Sequence, residues 1–370
     1  MRKETSHPVD KTLLWITLIL VTVGAIVFVS ATLGILARSE TRFYGVLVSQ
    51  LVFGLIGGVG ALSLTLWLPY TFWRKYAFVI FIVTLLSMFL VFVPGLGYEH
   101  GGARRWVSLG FASFQPAEFL KCGFILYAAT WFSWIGKKAK DARFTTLPLI
   151  VMLGLAGILL LVQPDTKSLV LMIIAGSAML FVSGTPIKHI LIMGTSAVML
   201  LVIVGLTTPY IQNRVKTFLD PSHDPGGASY QLQQSLIAIG SGGLTGRGIG
   251  QGIQKFGYLP EPQGDSIFAV VGEEIGFVGS VFIVLLYTAF AIRGLRIAYY
   301  APDRFGRILV IGIITILWAQ SFLNIASITS IIPLTGVPLV FMSHGGTSLM
   351  ISLGLVGIVL NISRYQKETL

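Results

Sequence analysis

Long apolar runs recur along the whole chain, separated mostly by short polar gaps. They lie near Leu13–Leu36, Val46–Leu68, Tyr76–Val93, Phe119–Ile135, Leu147–Val162, Leu169–Val182, His189–Leu206, Ile267–Ile292, Ile308–Ile331 and Thr347–Ile362. None shows the strict alternation of a membrane-barrel strand. A helix needs about 20 apolar residues to cross the hydrocarbon core, and it satisfies its own backbone polar groups there. The pattern predicts an all-α polytopic membrane protein of about ten transmembrane helices, one membrane domain over residues 1–370. The fifth and sixth runs are short and flank Gln163-Pro164-Asp165, which points to tilt or to a water-filled cavity beside them.

One connection is long, from Thr207 to Ser266, and is expected on the extracytoplasmic side. Loops of this length are usually functional. Leu232, Leu236 and Ile239 follow helical spacing, so Tyr230–Ile239 is expected as an amphipathic helix lying on the membrane. The glycine-rich stretch Gly240–Gly252 reads as a flexible loop. It lacks the preceding strand that a dinucleotide fingerprint requires.

Composition sharpens this picture. Of 370 residues, 54% are apolar and 11% charged, against about 25% charged in soluble domains. A soluble enzyme, a disordered chain and a coiled coil are excluded, because lipid must solvate most of the surface. The net charge of +11 does not indicate nucleic acid, because Lys and Arg sit mostly in the gaps between runs. With the N-terminus inside, sixteen of the 26 Lys and Arg become cytoplasmic, which predicts that both termini are cytoplasmic. The first run lacks a small-residue cleavage site and reads as a retained helix. One cysteine, Cys122, permits no intramolecular disulfide, and the five histidines show no metal-ligand spacing.

Charged groups in or beside membrane spans are candidates for function. Arg104 and Arg105 break the inside bias of positive charge and suit phosphate recognition or headgroup anchoring, and Trp106 is expected at the headgroup level. Glu118 and Lys121 share a helix face at i and i+3, as a substrate contact or as an intramembrane ion pair. Asp165 and Lys167 follow a proline stop and could belong to a wet turn. Asp265 stands where a helix N-cap belongs, yet an outer carboxylate at the mouth of a bundle also suits a general base. Glu261 precedes it, and Glu273 and Glu274 lie two turns deeper, rotated so that they need not face the same cavity. Prolines and glycines over 333–348 suggest a broken helix lining a cavity, or an ordinary tight turn. There is no P-loop, no nucleophile elbow and no His-Glu-x-x-His, so no nucleotide is expected as an energy source.

Taken in order, these motifs are recognisable. Gly102-Ala103-Arg104-Arg105-Trp106 to Gln115-Pro116-Ala117-Glu118, Gln163-Pro164-Asp165, Tyr230-Gln231-Leu232, Tyr258-Leu259-Pro260-Glu261 to Asp265-Ser266-Ile267, Gly272-Glu273-Glu274-Ile275-Gly276 and Gly345-Gly346-Thr347-Ser348 resemble the SEDS (FtsW/RodA) family from end to end. The Tyr-Gln-Leu and Tyr-Leu-Pro-Glu stretches look more like the division branch than the elongation branch. The resemblance implies a ten-helix fold and a bacterial plasma-membrane peptidoglycan glycosyltransferase that polymerises lipid II, a disaccharide-pentapeptide on undecaprenyl diphosphate. It implies Asp265 as the essential aspartate. The Arg-Arg-Trp loop, the Pro-Ala-Glu…Lys segment and the Gln-Pro-Asp turn are its other sensitive places. Its partners would be a class B penicillin-binding protein, a transpeptidase with one membrane span, and other division proteins. Family members commonly carry His-Thr before the aspartate and Ser-Tyr-Gly-Gly-Ser-Ser later; here stand Gln263-Gly264 and Ser343-His344-Gly345-Gly346-Thr347-Ser348.

The chemistry fits the residues on its own terms. Joining two lipid-linked sugars requires one proton to be removed and one diphosphate to leave. Arg104, Arg105, Lys121 and a divalent cation, Mg or Mn, are candidates for the charge that the diphosphate needs. A flippase for lipid-linked precursors and a non-catalytic division scaffold are the competing readings. Gly272, Gly276 and Gly279 have the small-residue spacing that admits another helix. The span after Asp265 and its neighbour Ile308–Ile331 are therefore expected to receive the partner's helix, unless these glycines pack within the bundle.

Overall fold

The structure, a computed structural model, describes residues 8–100, 103–108, 113–220 and 227–366. Ten helices correspond to the ten apolar runs. The first seven are α1 (Lys11–Leu36), α2 (Glu40–Trp67), α3 (Tyr70–Phe92), α4 (Pro116–Ile135), α5 (Thr146–Val162), α6 (Thr166–Val182) and α7 (Ile187–Thr207). Two helices in the long connection follow, α8 (Pro209–Leu219) and α9 (Ala228–Ser241). The last three spans are α10 (Ile267–Tyr299), α11 (Arg304–Ile328) and α12 (Gly346–Ser363). Among the described residues, α1, α2, α3, α10, α11 and α12 are long and apolar enough to cross a bilayer unaided. The helices α5 and α6 are shorter, at 17 residues each, and α4 carries Glu118 and Lys121.

Local chemistry sets the helix starts. Asp10 caps α1 by accepting from Leu13 N at 2.8 Å, and Asp303 caps α11 by accepting from Gly306 N at 2.8 Å. Each cap satisfies an N–H that the first helical turn leaves without a partner. The central helices are α11 and α12, apolar and buried nearly all round, with Ile308, Leu309, Val310, Val356, Val359 and Leu360 all fully enclosed. A helix apolar on every side belongs in the middle of a bundle.

Between α3 and α4 the chain forms a small antiparallel sheet of β1 (Gly97–His100), β2 (Ala103–Ser108) and β3 (Ser113–Phe114), in the order β1-β2-β3. Tyr98 pairs with Trp106, and Val107 with Phe114. The sequence pattern predicts no strand here.

Two features of the long connection differ from expectation. Its second helix, α9, does not lie apart on a membrane surface: Leu232 and Ala238 are buried, and Ile239 packs on α10. The glycine-rich stretch folds back onto α10, where Phe277 N and Val278 N donate to the carbonyls of Gly243 and Leu244 at 2.9 and 3.1 Å. These bonds interrupt α10 at Gly276, whose φ of 72° and ψ of −168° are nearly closed to residues with a side chain. Two of the three glycines expected to receive a partner helix, Gly272 and Gly276, are therefore already packed from within the chain. A Cβ on Gly276 would stand 2.2 Å from Gly246 N, and one on Gly272 would stand 2.8 Å from Ile239. These glycines serve packing within the chain.

The stretch from 329 to 345 leaves helical conformation between α11 and α12. Its carbonyls are taken up by side chains: Asn324 Nδ2 donates to Val337 O at 2.7 Å, Gln320 Nε2 to Pro338 O at 3.2 Å, and Tyr287 Oη to Val340 O. Ser343 Oγ donates to Gly264 O at 2.7 Å, which ties this stretch to the segment bearing Asp265. Irregular backbone inside a membrane bundle persists only when protein groups satisfy it in this way.

Candidate active site

Asp265 does not cap α10. Ser266 occupies the N-cap position, and no side chain caps there. The Asp265 carboxylate instead accepts from Gln231 Nε2 of α9 at 3.0 Å, and its main-chain carbonyl accepts from Asn324 Nδ2 of α11 at 2.7 Å. Because Asn324 also donates to Val337, it joins the aspartate to the irregular stretch. The carboxyl group is half-buried. Desolvation pushes its pKa up from the ordinary carboxylate range, opposed by the positive charges of Lys167 and Arg214 and by the bond from Gln231.

Beside it opens a cavity of about 380 Å3. Apolar walls come from Val170, Ile211, Leu323 and Leu334, and the charged lining groups are Arg105, Lys167 and Arg214. Lys167 Nζ donates to Gly336 O at 2.6 Å, and Arg214 Nη1 donates to Leu334 O at 2.6 Å. Gly336, at φ 64°, is where these groups meet. A Cβ there would stand 3.2 Å from Arg214 Nη2 and 3.6 Å from Asp265 Oδ2. One carboxylate and three cations thus converge on a single apolar-walled space.

The sequence candidates divide on this geometry. Arg105 belongs to the cavity, donating from Nε to Gln163 O at 3.1 Å and from Nη2 to Pro164 O. Arg104 does not. Neighbouring strand residues point to opposite faces, so Arg104 turns outward to Glu99 at 3.7 Å, and Trp106 follows it on that face, paired with Tyr98. Lys167 lines the cavity, whereas Asp165 is buried as the N-cap of α6, accepting from Ser168 Oγ at 2.8 Å and Gln115 Nε2 at 3.0 Å. The aspartate is enclosed, while Pro164 in the same turn is exposed. Glu118 and Lys121 form a buried ion pair at 2.9 Å. Lys121 also donates to Gln320 Oε1 at 3.0 Å, so the pair braces the cavity wall through Pro338 and does not line it. Glu261 is exposed and accepts from Gln263 Nε2 at 3.0 Å, on a different surface from Lys167.

Glu273 and Glu274 face away from Asp265 into the folded glycine-rich stretch. Glu273 accepts from Ile253 N at 2.8 Å. Glu274 accepts from Gly250 N at 3.0 Å and pairs with buried Lys255 at 2.6 Å. Sequence reasoning missed Arg214 and Asn324, and held Gln231 and Gly336 only as members of longer motifs without a role of their own. Arg214 stood only as one cation of a long loop, and Asn324 was a lone amide inside an apolar run, the one signal that could have marked it.

The residues present do not suit a protein-held divalent cation. Among the described residues no three His, Cys, Asp or Glu side chains converge, and the cavity sets one carboxylate beside three cations.

Comparison with known proteins matches the chain over nearly its whole length. The cell cycle protein family model that groups FtsW, RodA and SpoVE matches residues 11–368. Stage V sporulation protein E of Bacillus subtilis is 37% identical over 365 residues, 99% of each chain. A probable peptidoglycan glycosyltransferase FtsW of Trichlorobacter lovleyi is 39% identical over 357 residues, 96% of this chain and 93% of that one. Among solved structures, a chain from a peptidoglycan synthase complex that coordinates polymerization and crosslinking superposes with a TM-score of 0.77 at 28% identity, covering 96% of this chain and 98% of that one. Thermus thermophilus rod shape determining protein RodA superposes with a TM-score of 0.70 at 25% identity, covering 97% and 98%. With its motifs in order and its whole length matched, the chain belongs to the FtsW/RodA/SpoVE family of multi-pass membrane proteins.

Proposed function

We propose that this chain is a peptidoglycan glycosyltransferase that polymerises lipid II, with Asp265 as its general base. The observation that carries the reading is the half-buried Asp265, its carboxylate held by Gln231 and its main-chain carbonyl by Asn324, at the edge of a cavity whose charged lining groups are Arg105, Lys167 and Arg214. The acceptor hydroxyl gives its proton to Asp265 as its oxygen attacks the anomeric carbon of the donor sugar. The bond from that carbon to the diphosphate oxygen breaks, and undecaprenyl diphosphate leaves with the electron pair. A diphosphate leaves without protonation if positive charge meets it, so one carboxylate and three cations form a sufficient set. A positioned base of this kind contributes about 10²–10⁴-fold. Desolvation of Asp265 brings its basicity closer to working pH.

The apolar walls suit the prenyl end of the donor, which reaches the site from the bilayer. Asp265, Arg105, Lys167 and Arg214 gather at one end of the helix bundle, which favours chemistry on one membrane face over transport between two. That face is extracytoplasmic and both termini are cytoplasmic, following the distribution of Lys and Arg. The membrane is the bacterial plasma membrane, and the partner is a class B penicillin-binding protein acting with other division proteins. Incubating the purified protein with lipid II tests the reading. Glycan polymer and released undecaprenyl diphosphate support it; translocation of lipid II across vesicles without polymer would establish a flippase instead.

A further inference from the structure

At the end of the bundle opposite Asp265, several arginines are spent within the chain. Arg293 pairs with Asp10 at 2.7 Å, and Arg304 donates to Ser183 O at 2.5 Å. Arg74 lies 3.7 Å from Asp303, which sets the start of α3 beside the turn between α10 and α11. One patch at this end differs. It joins the start of α3 to the connection between α4 and α5, and it carries Lys75, Lys138, Lys140 and Arg143, all exposed. Among the described residues no carboxylate pairs with any of the four. The one carboxylate in these two segments, Asp141, accepts from Arg143 N at 2.9 Å.

The packing of α3 on α4 brings these cations together. The two helices run antiparallel, with Phe81 stacked on Tyr127 at 5.4 Å. Six residues back along α3 stands Lys75, and seven residues on along α4 stands Trp134, so both lie about 10 Å beyond that contact. Trp131 Nε1 donates to Phe144 O at 2.9 Å, which folds the connection back onto α4. Two of the ammonium groups rest on aromatic rings: Lys75 Nζ is 5.2 Å from the Tyr76 centroid, and Lys138 Nζ is 4.6 Å from that of Phe144. A ring face positions a lysine without neutralising it, so both keep their charge for an anion. Trp134 is 68% exposed, and an exposed tryptophan beside tyrosine marks the headgroup level. Along α3, Lys75, Val79, Val83 and Leu86 follow one helix face, and the three apolar residues are each more than half exposed. An apolar stripe therefore leads from the charge of Lys75 into the hydrocarbon.

We propose that this patch binds the phosphate headgroup of an anionic phospholipid from the leaflet at this end, with an acyl chain lying along Val79, Val83 and Leu86. Unpaired cations at headgroup depth attract anionic lipid. A zwitterionic headgroup brings its own cation and gains less. An acidic protein segment would match the charge but would leave the stripe beneath it unused, so the continuity of charge and stripe favours a lipid.

The test titrates full-length protein in detergent with phosphatidylglycerol, and with phosphatidylcholine of the same chains, counting bound lipid by native mass spectrometry. The wild type should bind phosphatidylglycerol about tenfold more tightly or better. Lys75→Gln and Lys138→Gln should each weaken that binding about fivefold, the contribution of one basic residue near an anionic surface, and leave phosphatidylcholine unchanged. Both side chains are exposed, so melting in phosphatidylcholine nanodiscs should match the wild type. Arg296→Gln removes an exposed cation of α10 outside the patch and should change the binding less than about twofold. No preference of the wild type for phosphatidylglycerol overturns the proposal. An equal loss from Arg296→Gln also overturns it, because only a diffuse field then remains. Polyglutamate binding to the wild type without any preference for phosphatidylglycerol would assign the patch to an acidic protein segment instead.

Discussion

Replacing Glu274 by Gln keeps the side chain's size and removes its charge. The consequence can be worked from the contacts. The Lys255 and Glu274 side chains are 0% and 1% exposed and stand 2.6 Å apart. Glu274 also accepts from Ser30 Oγ at 2.7 and 2.8 Å and from the N–H groups of Gly250 and Gly252 at 3.0 and 3.3 Å. Gln can accept from only part of this set, and it leaves Lys255 buried without a counter-charge. Breaking a buried pair on one side costs about 3–5 kcal/mol. At roughly 2–4 °C per kcal/mol, the melting temperature should fall on the order of 10 °C. Removing both charges, as in Glu274→Gln with Lys255→Met, should recover most of the loss, because no buried charge remains. Melting in detergent, followed by size-exclusion chromatography, measures all three. The same bonds anchor 250–255, which leads into the segment bearing Asp265, so Glu274→Gln should also slow polymerisation below its melting point. A melting temperature within about 2 °C of wild type, less than the change expected from 1 kcal/mol, would refute the reasoning. So would a double variant less stable than Glu274→Gln.

Other consequences follow from the cavity. Gly336→Ala should reduce activity about tenfold or more, because the Cβ enters the space between Arg214 and Asp265 at a positive φ; steady-state kinetics on lipid II would show it. Arg105→Lys should be poorly tolerated, since it loses the fork that spans Gln163 O and Pro164 O, whereas Arg104→Ala should lower the rate less than about threefold because that exposed ion pair contributes little. Equal losses for the two would show that strand alternation does not sort them. The acid limb of kcat/KM should lie above the ordinary carboxylate range: Asp265 must be ionised to take the proton, burial raises its pKa, and activity is therefore lost as pH falls through that raised value. A limb in the ordinary range would mean that water reaches the group freely.

The helices were legible because lipid imposes a simple rule: a span must be apolar for most of its length. That rule located all ten runs, including the short pair around Gln163-Pro164-Asp165. It says little about where loops go. Gly240–Gly252 reads as flexible because glycine lacks a side chain to pack, yet that lack lets its backbone approach Glu273 and Glu274. Gly272 and Gly276 spell the same small-residue motif whether the helix or loop they admit belongs to a partner or to the chain itself. Arg104 and Arg105 were inseparable until β2 set them on opposite faces. Asp165 and Lys167 shared a turn in the sequence, but one is spent on a helix cap and the other reaches Gly336. Asp265 was visible as a carboxylate at a helix mouth. Its supports Gln231, Asn324 and Gly336 are distant in sequence, and only tertiary packing brings them together.

Asp265→Asn, purified and given lipid II, tests the central claim most directly. Asn keeps the shape and still engages Gln231, so the protein should fold, melt near the wild-type temperature and bind lipid II. It cannot take the acceptor's proton, so the polymerisation rate should fall about 10²–10⁴-fold and the acid limb should disappear from whatever activity remains. Polymerisation within about twofold of wild type, with the acid limb intact, would contradict Asp265 as the base, because a positioned base is worth far more than that.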